Sequence, residues 1–295
     1  GGALQQDFRR IPQELPGMDG VDTAIIINLL CRAIELGLTP DDEDLDRIEM
    51  GAGWMLRSEL SPGVFAHHEG ATHDCQNSNA LGAMALSRAH QTLTAAGRQA
   101  PDEWVAAARR GLAHWLEGQE AIGVWPYLFA GVGRGQAYDQ QNVPDQGMGG
   151  YHFLVACDTP ALRETPGVNE ALKRLARWYL CTSRLDETGE LTTVDLEYQR
   201  DGGGLLFSSF TWCRFMAAAV LARTAARTDE AEPWRSLALR LMEHVRAKLW
   251  QTEDPERAPV VASSRPDIEL HSWIAAAEWE AVLVRDIMEH LEASG

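Results

Sequence analysis

Trp54-Met55-Leu56 followed by Gly63-Val64-Phe65, Trp115-Leu116 followed by Gly123-Val124-Trp125, and Trp178-Tyr179-Leu180 followed by Gly189-Glu190-Leu191 are three versions of one pattern, spaced about sixty residues apart. Each reads as the aromatic-anchored end of a helix, a few polar residues, and a glycine-centred turn that closes on a large apolar residue. A period of this length holds two helical runs, which is the signature of stacked helical hairpins. Hairpins of one array share a continuous core. The 295 residues therefore read as an N-terminal arm, 1–20, and a single domain, 21–295.

Outward from the repeat, two kinds of helix alternate. Asp22 stands as a cap before Ala24, Ile25, Ile26, Ile27, Leu29, Leu30, Ala33 and Ile34, a run apolar nearly all round and so expected to be buried on every side. Gly37 ends it. The next helix starts at Pro40-Asp41, gathers Asp41, Asp42, Glu43 and Asp44 on its positive end, and carries a narrower stripe of Leu45, Ile48, Ala52, Met55 and Leu56. An apolar run over 76–95, closed by Gly97, precedes an amphipathic one over 102–119. A shorter apolar helix over 146–158 is followed by an amphipathic one over 169–183. A further pair covers 208–226 and 232–250, and a last helix covers 268–291. Buried and half-exposed helices in strict alternation describe an inner ring wrapped by an outer ring: an all-α chain, an α/α toroid of about five hairpins. Four and a half hairpins are countable, so closure falls to the last helix or to the arm. A tetratricopeptide-like solenoid has a shorter period and brief loops.

The stretch Arg110-Gly111-Leu112, Trp115-Leu116, Gln119, Gly123-Val124-Trp125 resembles the "QW" repeat of terpenoid cyclases and prenyltransferase-like toroids. In that pattern a Gln near a helix end precedes Gly-x-Trp. The resemblance implies a structural role, in which Gln ties the outer helix end to the loop and Trp packs beneath. Glu59, and Ser183 or Arg184, stand where Gln would be in the other copies. The same alternation also resembles the six-hairpin glycosidases and the α/α-barrel polysaccharide lyases, which implies a site in the mouth of the ring. The cyclase chemistry is not matched. Asp19-Gly20-Val21-Asp22-Thr23-Ala24 puts valine where the Asp-x-Asp-Asp-Thr-Ala acid stands, Asp74-Cys75 are adjacent where prenyltransferases have Asp-x-Cys, and no Cys-His pair suits a lanthipeptide cyclase.

A net charge of −17 with no compensating basic cluster argues against nucleic acid or an anionic membrane as partner. No apolar run is long enough to span a bilayer, and no basic-then-apolar leader opens the chain. Cys31, Cys157, Cys181 and Cys213, four of five cysteines, sit within apolar helical runs. They read as small buried hydrophobes, which favours a reducing, cytoplasmic compartment over a disulfide framework.

The connectors locate the chemistry. Inner-to-outer turns are short, whereas outer-to-inner connectors (61–75, 120–145, 184–207, 251–267) are long and all fall at the end where inner helices begin. Long ordered loops are where function concentrates. The first holds His67, His68, Glu69, His73, Asp74 and Asn77; imidazoles and carboxylates there suit proton transfer. Asp74 and Asn77 are also natural helix caps, and no metal is assigned because the spacing matches no zinc signature. The second offers Trp125, Tyr127, Asp139, Asp145 and Gln146, with glycines 147, 149 and 150 just before Tyr151 and His152. The third offers Asp195, Arg200 and Asp201, whose following glycines make neither a phosphate loop nor a dinucleotide fold. The last offers His271.

The catalytic set expected from this pattern is His73, Asp74, Asp145, Tyr151 and His152. His67, His68, Asn77, Trp125, Tyr127, Asp139, Gln146, Asp195, Arg200, Asp201 and His271 form the binding wall, with no cofactor. Polar groups interleaved with aromatic rings suit a sugar, so the leading expectation is a carbohydrate-active enzyme, a glycoside hydrolase or polysaccharide lyase acting on a small-molecule or oligosaccharide substrate. A terpenoid or prenyl-handling enzyme, or a non-catalytic binding scaffold, are the alternatives.

Overall fold

A computed structural model of the chain describes residues 20–71, 76–121, 123–125, 143–185, 191–193, 211–244, 250–251, 260–261 and 285–293. Helices dominate them: α1 Gly20–Glu35, α2 Asp42–Arg57, α3 Gln76–Ala95, α4 Asp102–Glu117, α5 Val143–Asp158, α6 Val168–Thr182, α7 Thr211–Arg227 and α8 Trp234–His244, with 285–293 helical as well. Three antiparallel strand pairs, each two strands, sit in the connectors: β1 Glu59–Ser61 with β2 Val64–Phe65, β3 Ser183–Leu185 with β4 Leu191–Thr193, and β5 Trp250–Gln251 with β6 Val260–Val261. The sequence pattern predicts plain loops at these places. Each pair follows an outer helix, and in β1–β2 the turn at Gly63, with φ of +83°, is where the chain doubles back.

The alternation of helix types is plain in burial. In α3 every residue from 77 to 89 is buried, and in α7 every described side chain from 216 to 225 is. By contrast α2 buries one face, Leu45, Ile48, Gly51, Ala52, Trp54 and Met55, and α4 buries Trp104, Val105, Ala107, Ala108, Gly111, Leu112 and Trp115. The expectation for α1 is corrected. It buries Thr23, Ala24, Ile27, Asn28 and Cys31 against α2 and α3, while Ile25, Ile26, Leu29 and Leu30 stay half-buried. α2 and α3 cover the buried stripe, and the apolar residues flanking it stay part-exposed. α1 also starts two residues before Asp22, which lies in its first turn.

The chain divides into two compact units. The first comprises 1–119, 125–140 and 152–166; there α1 packs on α2 and α3, and α3 on α2 and α4. The second comprises 120–124, 141–151 and 167–295; there α7 packs on α6 and α8. α5 gives its residues through Tyr151 to the second unit and those from His152 to the first.

Glycines of the repeat set the spacing between hairpins. Gly63 has φ of +83°, and a Cβ there would stand 2.6 Å from the carbonyl carbon of Arg110 on α4. Gly123, at φ +100°, meets the carbonyl carbon of Arg174 on α6 at the same distance. Two contacts about sixty residues apart thus join a turn to the next outer helix by backbone-to-backbone approach. Phe65 completes the first joint. Its ring fills the space left by Gly82 of α3 and Gly111 of α4, where a Cβ would meet it at 2.5 and 2.8 Å. In the next copy Trp125, Trp115 and Phe153 form one stack, with ring centroids 3.7 and 3.9 Å apart, and the Trp125 indole N–H donates to the Trp115 carbonyl at 2.7 Å.

Ion pairs brace the opposite ends. Arg98, just after α3, bonds Asp42 of α2 at 2.8 Å and also Asp46. Lys173 of α6 bonds Asp229 at 2.7 Å, after α7. The pairing holds the ammonium of Lys173 charged to higher pH than usual and pulls the Asp229 carboxyl down. Ion pairs with a solvent-exposed partner add little each.

Gly37 also has positive φ, +104°, but a Cβ there would meet nothing within 4 Å. The two glycines therefore separate backbone strain from close approach. We expect Gly37→Ala to cost about 1 kcal/mol and Gly63→Ala at least twice that in denaturant unfolding. Equal losses would remove close approach as the reason for Gly63.

Candidate functional site

The polar residues that the sequence singles out belong to the connectors before the inner helices, to the first turns of those helices and, for Tyr151 and His152, to the middle of α5. In the first unit, the β1–β2 hairpin leads into residues 66–71. Ala66 N–H bonds the Ser58 carbonyl at 3.1 Å, and the His67 carbonyl accepts from Gly20 N–H at 2.8 Å. A Cβ on Gly20 would lie 2.8 Å from the Ala66 oxygen, so only glycine lets α1 begin against this loop. His67 is half-buried and His68 exposed. Their Nδ1 atoms are 3.5 Å apart with rings nearly perpendicular, an arrangement that requires an N–H on one ring and a lone pair on the other.

Beneath the hairpin, Glu59 occupies the position where the repeat elsewhere has Gln119. Its Oε1 accepts from Gly63 N–H at 2.8 Å, and its carboxylate takes Arg110 Nη2 at 3.0 and 3.1 Å. One carboxylate therefore fixes both the turn and the next outer helix.

The first turn of α3 is polar and buried: Asn77, Ser78 and Asn79. Asn79 Oδ1 accepts from Phe65 N–H at 3.0 Å, and Ser78 Oγ donates to Asn77 Oδ1 at 3.4 Å. α1 buries Thr23 in its first turn and Asn28 further along, with Asn28 Oδ1 lacking a hydrogen bond. On α5, Tyr151 and His152 are both buried. Burying polar groups is costly, so such density in helices otherwise built of Ala, Leu and Gly is informative.

Tyr151 belongs to the second unit, where the Arg223 guanidinium carbon lies 5.5 Å from its ring centroid. Arg223 is joined to Asp286, Nε to Oδ2 at 2.8 Å and Nη2 to Oδ1, with both partners almost wholly buried. Neither was picked out by sequence reading. The signal was present: Arg223 is the one full charge between Leu221-Ala222 and Thr224-Ala225-Ala226.

His67, His68, Asn77, Trp125, Tyr151 and His152 are thus placed in full. Trp125 is enclosed in its stack. The backbones of Asp145 and Gln146 run in α5, their side chains outside the described residues; His73, Asp74, Tyr127, Asp139, Asp195, Arg200, Asp201 and His271 also lie outside them. Among the described residues, no group of three or more His, Cys, Asp or Glu converges as metal ligands would, and no helix is long and apolar enough to cross a membrane.

Cys31 and Cys157 are buried and free of disulfides. Burial pushes the Cys31 thiol up to about 11, opposed by a hydrogen bond with Thr92 and by the Arg88 charge.

No family model matches the sequence, and no curated protein matches it. Solved structures do. The chain is similar to the unsaturated glucuronyl hydrolase of Bacillus sp. GL1, at TM-score 0.63 and 15% identity over 94% of this chain and 74% of that one. It is similar to a D-mannose isomerase, at TM-score 0.61 and 12% identity over 92% and 71%. It is also similar to cellobiose 2-epimerase from Spirochaeta thermophila DSM 6192, at TM-score 0.51 and 14% identity over 94% and 86%. At such identities the likeness establishes the fold: the chain is all-α, with the α/α toroid architecture the repeat predicts.

The thiol gives a direct check on the packing of α1 against α3. Because the Cys31 value is raised above the ordinary 9.0, the native state holds its proton where the unfolded chain has lost it. Stability therefore falls as pH rises from about 9 to about 11. We expect a Cys31→Ala protein to lose less stability than the parent over that window in denaturant titrations. Identical slopes would contradict the burial.

Proposed function

We propose that the chain is a carbohydrate-active enzyme, a glycan hydrolase or lyase, working by proton transfer at the N-terminal ends of its inner helices. The observation that carries the reading is the buried polar character of the inner helices, in first turns (Thr23 on α1; Asn77, Ser78 and Asn79 on α3) and at mid-helix (Asn28 on α1; Tyr151 and His152 on α5). Burying amides, imidazole and phenol carries a desolvation cost that apolar side chains avoid. These are also the kinds of group that hydrogen-bond a hydroxyl-rich ligand. Support also comes from the toroid neighbours, since a glucuronyl hydrolase, a mannose isomerase and a cellobiose epimerase all handle sugars.

The acid–base groups we assign are His73, Asp74, Asp145, Tyr151 and His152. In a lyase, His73 or His152 takes the proton next to a uronate carboxylate, Tyr151 or Tyr127 returns a proton to the leaving oxygen, and Asn77 polarises the carboxylate. In a hydrolase, two carboxylates among Asp74, Asp139, Asp145, Asp195 and Asp201 act as acid and base or nucleophile. His67, His68, Gln146, Arg200 and His271 contribute to the substrate wall.

The reading is tested by incubating the protein with neutral and uronic glycans. New reducing ends report hydrolysis, and ultraviolet absorbance of an unsaturated product reports elimination. Turnover should appear on at least one class, and Tyr151→Phe and His152→Gln should each lower kcat by roughly 10²–10⁴-fold with melting temperature nearly unchanged. Silence on every glycan, with turnover of a prenyl diphosphate, would overturn it.

A further inference from the structure

α7 is a run of small and apolar residues, Met216 to Ala222 and Ala225, in which Arg223 is 3% exposed. Its Nε donates to Asp286 Oδ2 at 2.8 Å and its Nη2 to Oδ1, a two-pronged fork that fixes the guanidinium plane. Asp286, 4% exposed, comes from the helical segment 285–293. That segment is seated by Ile287 and Leu291, both buried, and by a 3.4 Å bond from Arg235 of α8 to the Leu291 carbonyl. His290 Nδ1 lies 2.7 Å from the Asp286 backbone oxygen and 3.8 Å from Oδ1. The guanidinium carbon stands 5.5 Å from the ring centroid of Tyr151, which is 2% exposed.

Stability does not explain this arrangement. Taking both charges out of water costs several kcal/mol per ion, and apolar residues of similar volume in such places are often neutral or stabilising. What the pair supplies, and an apolar residue does not, is a full positive charge set rigidly against an aromatic ring. We propose that Arg223 is a positioning residue for Tyr151, with Asp286 fixing the orientation of the guanidinium. Its catalytic part rests on the sugar-acting reading above.

The chemistry follows from the charge. When Tyr151 gives its phenolic proton to the leaving oxygen, the electron pair stays on the phenol oxygen as phenolate. A cation already locked at the ring stabilises that charge with no reorganisation at the moment of transfer. Asp286 offsets part of the field and in exchange prevents the long side chain from turning away. With Nε and Nη2 both taken by Asp286, the fork is not presented to an anionic substrate group, so anchoring a uronate is not what this geometry favours.

The chain has five tyrosines, so a protein carrying ¹³C-labelled tyrosine gives a spectrum simple enough to assign Tyr151 from a Tyr151→Phe variant. We expect Arg223→Met to move the Tyr151 ring signal while the other four stay in place, Arg223→Lys to move it less, and Asp286→Asn to move it in the same direction as Arg223→Met. Should Arg223→Met disturb all five signals, Asp286→Asn decides alone. On a turned-over glycan, Arg223→Met should lower kcat roughly 10–100-fold with KM within about twofold, and should lower it no further in a Tyr151→Phe background. A Tyr151 signal unmoved in Asp286→Asn and in any folded Arg223→Met protein overturns the proposal, whatever substrate is found. So does a full additive loss in the double variant. If wild-type protein turns over no glycan, the sugar-acting reading fails by itself, and the ring signal still decides whether Arg223 positions Tyr151.

Discussion

Two peptide backbones can touch only where no Cβ intervenes, and the organisation of this chain depends on that contact being made repeatedly. Gly63 lies on the backbone of Arg110, and Gly123 lies on that of Arg174, each with φ in the left-handed region. The contact leads a connector from the end of one outer helix onto the flank of the next. In the first copy it also aims Phe65 into the slot between Gly82 and Gly111, and sends the chain on to His67, whose carbonyl receives the first N–H of α1. Packing at the outer joint and polarity at the inner helix start are thus consequences of one local geometry.

Glu59 shows how a carboxylate takes over the task the repeat gives to glutamine. A Gln side chain would accept from Gly63 N–H equally well. The charge adds Arg110, whose guanidinium approaches the same carboxylate and makes the bracket span turn and helix together. The substitution weakens the sequence signature and strengthens the joint. The polar first turns work under a similar rule. Asn79 secures the Phe65 backbone, so part of the buried polarity is architectural, while the Tyr151 ring stands 5.5 Å from the guanidinium carbon of Arg223.

The helices were legible because burial writes itself into the residue pattern. The expected 76–95 run is α3 to the residue, since Gly97, at φ +77°, provides a clear stop. For α1 the pattern overstates burial, because apolar periodicity reports what a helix can bury and not what packs against it. The strand pairs escaped notice for want of an alternating pattern: two or three residues are too few to carry one. In the candidate site, residue types concentrated in connectors, such as His67 and His68, stand out in a sequence. Arg223 and Asp286 do not, because they are 63 residues apart and acquire meaning only when folding makes them partners.

The bracket at Glu59 is the part of this account open to the most direct measurement. Amide hydrogen exchange at Gly20 reports whether the connector is held on the start of α1, because that N–H donates to the His67 carbonyl at 2.8 Å. In a Glu59→Ala protein the account predicts Gly20 exchange faster by about tenfold or more, with amides in the middle of α3 still protected as in the parent. Unchanged protection at Gly20 would contradict it, and would mean that the inner helix start is organised independently of the joint outside it.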